Sequence, residues 1–217
     1  DPAFFRLMSD FFRTNAAKPA SSTLFMEAAE KSAGRPLKTF FSEWLDSTGL
    51  PDGASGEGTG AYLITSVLNR LRSAVLVYGT TREAGANRYA AEVLQRRFRE
   101  REEIEVPIRK DFEVSADDLK FRDVIYVGRP ATNGALAEVS ARIGLNWHGG
   151  VFQIKGRDYA SENDALLFAA SNPLDRAHMM LVVAGNSPLE TVRAASADEE
   201  EAGYAVFSLG KLRETGF

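Results

Sequence analysis

The sequence predicts an α/β protein: a three-layer, doubly wound, mainly parallel sheet with an inserted β-hairpin, preceded by a small all-helical segment. Two observations carry this expectation. From residue 74 a unit recurs as AVLVYGTTRE, DVIYVGRPATN and LVVAGNSPLE, each an apolar β-branched run, then Gly, then a polar helix start. Short continuous apolar runs mark parallel strands covered on both faces, and strand–Gly–helix repetition marks a doubly wound sheet. Before residue 50 the apolar spacing changes to the helical period.

That helical part holds three predicted helices. The first places Phe4, Leu7, Met8, Phe11 and Phe12 on one stripe, and the second Phe25, Ala28, Ala29 and Ser32, with Gly34 as its stop. In the third, Pro36 suits the first turn, and Leu37, Phe40, Phe41, Trp44 and Leu45 follow i, i+3, i+4, i+7, i+8. The Gly-rich, polar PDGASGEGTG, 51–60, reads as an interdomain linker. The domain division is therefore residues 1–50, a linker and lead-in segment 51–72, and an α/β domain 73–217.

Within the α/β part, Thr80 with Glu83 and Ser187 with Glu190 fit the capping-box pattern, and Pro188 suits a first helical position. The following helices carry apolar stripes at Ala90, Val93, Leu94 and Phe98, and at Leu136, Val139 and Ile143. VFQIKGRDYA alternates and turns at Lys155-Gly156, predicting a hairpin. DALLFAAS reads as a buried strand and GYAVFSL as a late edge strand. The run RRFREREEIE is the solvated end of a helix with Phe98 turned inward, and ADEEEAG an exposed loop.

Composition narrows function. The 217 residues are 44% hydrophobic and 26% charged with a net charge of −4, which offers no broad attraction to nucleic acid or an anionic membrane. No apolar run approaches the ~18 residues a membrane span needs. The absence of Cys excludes a disulfide framework and thiolate zinc ligation. Only His148 and His178 are present, neither opens an H-E-x-x-H, and no two histidines lie one helical turn apart. No metal ligand, no catalytic residue and no cofactor is therefore assigned to this chain. A Ser-His-acid site built on His178, near Asp175, lacks a G-x-S-x-G elbow; His178 reads as a strand-start residue and His148 as a loop residue.

The Gly-ended strands supply the candidate site. In open α/β sheets ligands favour the crevice at the carboxyl ends of the strands, where helix N-termini expose N–H groups. Gly79, Thr80, Gly128, Arg129, Asn133, Asn172 and Asn186 are the candidate ligand-binding residues, together with Gly185. Arg129 pairs an anion and the asparagines read hydroxyls or amides. The same residue types also make tight turns and caps without any ligand, and neither G-x-G-x-x-G nor G-x-x-x-x-G-K-[ST] is present.

The pieces FMEAAEKSAGRPLKTFFSEWL and STGLP, with FF near the start, resemble the C-terminal edge of the catalytic region of alanyl-aminopeptidase-type gluzincins, over residues 3–51. That resemblance implies helices packed behind an upstream zinc site; the family's ligands and catalytic Glu have no matching positions here. Residues 74–209 are similar to an accessory α/β domain found beside peptidase-like and esterase-like modules in large secreted bacterial proteins. VIYVGRPATNGALAEV, LNWHGGVFQIKGRDYA, SNPLDRAHMMLVVAGNS and GYAVFSL carry that likeness. In the domain it resembles, an aromatic residue usually stands at the position of His178, which speaks against a catalytic role for it.

Together these resemblances imply the non-catalytic C-terminal region of a bacterial, extracytoplasmic zinc aminopeptidase-like protein. Its zinc belongs to the parent protein, its partner is the upstream catalytic domain, and its α/β domain stabilises the assembly or binds a peptide or glycan. An independent small hydrolase, a carbohydrate-binding module and a pure packing module stay open as alternatives. The purified chain is expected to show no zinc-dependent aminopeptidase activity, because it lacks the paired histidines of such a site. Cleavage of aminoacyl anilides, abolished by a chelator and restored by zinc, is the contrary result.

Overall fold

The computed structural model describes residues 2–15, 21–33, 62–198 and 201–217. The chain divides into two compact units, 1–55 and 56–217.

In the first unit α1 (Pro2–Asn15) and α2 (Ser22–Ala33) form as their periodicity predicts. Phe11 is buried and meets the Phe25 ring edge-on at 5.3 Å. Phe12, expected on the same stripe, is 64% exposed, since adjacent residues on a helix point about 100° apart. The predicted third helix, the Gly34 stop and the linker lie outside the described residues.

The second unit opens with α3 (Ile64–Leu68) and a 3₁₀ turn, Leu71–Ser73. This stretch was expected to be a lead-in, yet Ile64, Val67 and Leu71 are buried in the apolar core under the sheet. The strands are β1 (Ala74–Tyr78), β2 (Ile108–Lys110), β3 (Asp123–Val127), β4 (Asn146–His148), β5 (Val151–Ile154), β6 (Arg157–Tyr159), β7 (Asp164–Ser171), β8 (Met179–Gly185), β9 (Tyr204–Ser208) and β10 (Lys211–Gly216). The helices among them are α4 (Ala84–Glu102), α5 (Ala116–Lys120), α6 (Gly134–Ser140) and α7 (Pro188–Ala195).

Seven strands form a mixed sheet in the order β10-β9-β7-β8-β3-β1-β2. The block β2-β1-β3-β8 is parallel, while β7, β9 and β10 extend it by antiparallel pairing. The expectation of a mainly parallel sheet thus holds for this block only. GYAVFSL is not an edge strand: β9 lies between β7 and β10, and the exposed, charged β10 takes the edge. β4, β5 and β6 make a separate antiparallel sheet. Its β5–β6 turn is the predicted Lys155-Gly156, with φ of 49° and 77°, the left-handed pair that a two-residue hairpin requires.

Alternation along the strands sends side chains into two apolar clusters. Leu76 and Ile125 join Ala90, Leu94 and Phe98 of α4, Ala194 of α7 and Ile64 of α3. Val75, Val77 and Tyr126 join Leu119 of α5, Leu136 and Val139 of α6, and Phe152 and Tyr159 of the small sheet. The apolar run AVLVY, buried at every position, is thereby explained.

A chain beginning at Ala61 should unfold in one cooperative transition. Starting at Ala74 instead removes Ile64, Val67 and Leu71, each contributing ~1.5–3 kcal/mol at most. Circular-dichroism melts of the two chains decide: equal melting temperatures would show α3 to be dispensable.

Candidate functional site

β8, β3 and β1 are parallel neighbours, so the glycines that end them fall along one edge of the sheet. Gly79, Thr80, Gly128, Arg129, Asn133 and Asn186 therefore gather there. Asn172 does not. It follows β7, which runs the other way, and its amide donates to the carbonyls of Leu119 and Arg122 at the opposite edge.

The gathered groups are engaged with one another. The Asn133 amide is fully buried and donates to the carbonyls of Val77 (2.9 Å) and Val127 (3.1 Å), while its oxygen accepts from Leu136 N (3.0 Å) at the start of α6. At Gly79 a Cβ would lie 2.2 Å from the Thr132 carbonyl oxygen, so only glycine lets the turn after β3 lie against the end of β1. The Asn186 amide holds the carbonyls of Tyr159 and Ser161, next to the hairpin sheet.

Arg129 was expected to offer a cation to an anionic ligand. Instead its guanidinium donates to the Glu83 carboxylate and the Asn186 carbonyl, and both side chains of the ion pair are only 17% exposed. Glu83 explains the pairing. It precedes α4 in a left-handed conformation, φ 57°, and makes no cap hydrogen bond. The predicted Thr80–Glu83 capping box is absent because both partners bond elsewhere. The Ser187–Glu190 box is also unformed: the Ser187 hydroxyl donates to Glu162 O, and Glu190 pairs with Arg193.

Asp111 escaped the sequence reading because β2 is only three residues long. Its carboxylate, on a residue 7% exposed, accepts from Thr80 Oγ1 (2.6 Å), Phe112 N (3.1 Å) and Gly134 N (2.7 Å). It thus ties together the ends of β1 and β2 and the start of α6. Beside it opens a cleft of about 460 Å³. Val114, Leu119, Val139 and Leu174 give it apolar walls, and Glu138 and Arg142 stand among its polar residues. The Ser115 hydroxyl and amide donate to Asp118, which caps α5 and holds the Asp118 carboxyl below its ordinary range. Behind α6, burial first and the Glu138 charge second push the Tyr126 hydroxyl up from its ordinary pKa.

At the opposite edge, buried Asp123 accepts from Arg70 Nε (3.1 Å), the Ser73 hydroxyl and Met179 N (2.7 Å), with His178 Nδ1 at 3.6 Å. Serine and imidazole both address the carboxylate here. In a nucleophilic triad the serine must reach the imidazole. Among the described residues no three His, Asp or Glu groups converge as metal ligands, and no helix is long and apolar enough to cross a membrane.

Comparison with protein-family models and with curated proteins finds no match.

Removing Arg129 should leave the Glu83 carboxylate half-buried and unpaired. Arg129→Met is expected to cost on the order of 2 kcal/mol, below the ~3–5 kcal/mol of a fully buried pair because water still reaches both groups. Adding Glu83→Gly should restore part of that loss, since glycine accepts the left-handed φ and removes the orphaned charge. Urea unfolding of the single and double variants measures this, and a double variant no more stable than the single one would refute the coupling.

Proposed function

We propose that residues 62–217 are a non-catalytic accessory module of a larger, extracytoplasmic bacterial zinc aminopeptidase-like polypeptide, with α1 and α2 belonging to the tail of its catalytic region. On this reading the zinc and the peptide hydrolysis belong to the upstream part, which is also the module's partner. The two apolar clusters are then the two faces of a three-layer, doubly wound sheet.

The observation that carries the non-catalytic part is the engagement of the strand-end groups. Arg129 is held by Glu83 and Asn186, Asn133 by two strand carbonyls, and Asp111 by Thr80, Phe112 and Gly134. Donors and acceptors committed in this way to strand ends and turns leave little to offer a substrate. These groups hold the fold. The competing hydrolase reading rests on His178, whose Nδ1 is buried without a hydrogen-bond partner beside Asp123. The open cleft beside Asp111 favours a ligand-binding duty for the module over pure packing.

The test is esterase and aminopeptidase assay of the purified chain and of His178→Gln, with p-nitrophenyl acetate and aminoacyl anilides. Both proteins should give rates equal to buffer. Turnover by the parent chain that His178→Gln abolishes would replace the accessory reading with the hydrolase.

A further inference from the structure

The strand order places a topological switch point between β1 and β3. From β1 the chain goes to β2 on one side, and β3 then pairs on the other. In dinucleotide-binding sheets such a crevice has three working parts: a Gly-rich turn after the first strand, the following helix N-terminus for the pyrophosphate, and an acidic residue further on that takes the ribose hydroxyls. Here Gly79 ends β1, α4 follows, and Asp111 stands directly after β2.

Two of these positions differ in what they admit. At the start of α4, the turn carries Glu83 in the left-handed conformation, where a phosphate-binding turn would bring backbone close to the anion. The Glu83 carboxylate is already paired with Arg129, and one of its oxygens is buried without a partner. A phosphate meets side-chain bulk there, and the cation beside it, Arg129, is already taken by Glu83. Asp111, by contrast, borders the cleft. An ionised carboxylate has about four acceptor positions, and three are filled: two at Oδ1, by Thr80 and Phe112 N, and one at Oδ2, by Gly134 N. One position on Oδ2 remains for a ligand hydroxyl. The neighbouring Phe112 is 71% exposed and also borders the cleft. Lys110 Nζ lies over its ring, 5.3 Å from the centroid, and an aromatic ring this exposed still offers its opposite face for a planar group to stack on. Leu119 and Val139 add apolar surface to the cleft lining.

We propose that this cleft binds an unphosphorylated nucleoside, with a ribose hydroxyl on Asp111 Oδ2 and the planar base against Phe112, and that Glu83 excludes nucleotides and dinucleotides. This goes beyond the accessory reading and needs from it only that the ligand be bound and left intact.

The experiment is calorimetric titration of the full chain with adenosine, 2′,3′-dideoxyadenosine and NAD, repeated with Phe112→Ala. Phe112 is exposed, so its replacement should leave the melting temperature unchanged. Adenosine should bind saturably. Dideoxyadenosine should bind roughly tenfold or more weaker, the loss expected for one hydrogen bond to a charged group. Phe112→Ala should weaken adenosine by a similar factor, and NAD should bind no more tightly than adenosine. The proposal is overturned by absence of saturable adenosine binding at millimolar concentration, by equal affinity for the dideoxy compound, or by an unchanged affinity in Phe112→Ala. Tighter binding of NAD would overturn the role given to Glu83. Conversion of adenosine to product would instead overturn the non-catalytic reading and leave the binding site standing.

Discussion

One buried amide governs the working edge of this protein. Asn133 joins the ends of β1 and β3 through their carbonyls and, with its oxygen, sets the first turn of α6. A carbonyl offers two acceptor positions, and buried ones left unpaired cost free energy. The Val127 carbonyl also accepts from Gly79 N (3.0 Å), so the Asn133 amide adds to that backbone bond. A side chain that bonds two such carbonyls and a helix N–H together also determines where α6 starts. The close approach at Gly79 is held from the same side, by Thr81 N donating to the Thr132 carbonyl (3.2 Å) and the Asn87 amide donating to the Thr132 hydroxyl (3.3 Å).

From that clasp the neighbouring arrangements follow. With α6 in place, Gly134 N faces Asp111, and Asp111 draws Thr80 and the end of β2 into the same network. On the other side the turn after β3 aims Arg129 at Glu83 and at the Asn186 carbonyl, which connects β1, β3 and β8. The switch-point crevice is consequently closed by the chain itself. The open space lies one step aside, between the segment after β2 and α6. The edge that parallel topology makes attractive for ligands has thus been divided into a closed half and an open half.

Much of the architecture was legible in the residues. The runs AVLVY, VIYV and LVVAG are buried at every position, as their apolar continuity predicts. The burial of Asp123 rests instead on its hydrogen bonds to Arg70, Ser73 and Met179. Lys155-Gly156 specified its hairpin through backbone preference alone. Elements with weak local signal are not legible in the residues. β2, three residues with an exposed centre, carries no apolar run. Residues 62–72, placed in the lead-in segment, show no period because a five-residue helix is too short for one, although Ile64 and Val67 are among the best-buried residues. β10 is polar, as edge strands are, and no propensity distinguishes such a strand from a loop.

The candidate residues show the same division. That Gly79, Gly128 and Gly185 end strands followed from the sequence, because turns are decided within a few residues; that Asn133, a ligand candidate by residue type, caps α6 is visible only in the structure. Asn172 looked equivalent to Asn186, and only the antiparallel direction of β7 sent it to the far edge. Arg129 looked like a free cation, and only the tertiary fold brought Glu83, 46 positions earlier, into its reach. Strand identity and turn chemistry are local properties carried by adjacent residues. Which charges meet, and which carboxylate keeps an acceptor position open, depends on strand order and direction, and these are decided by long-range burial that no local stretch encodes.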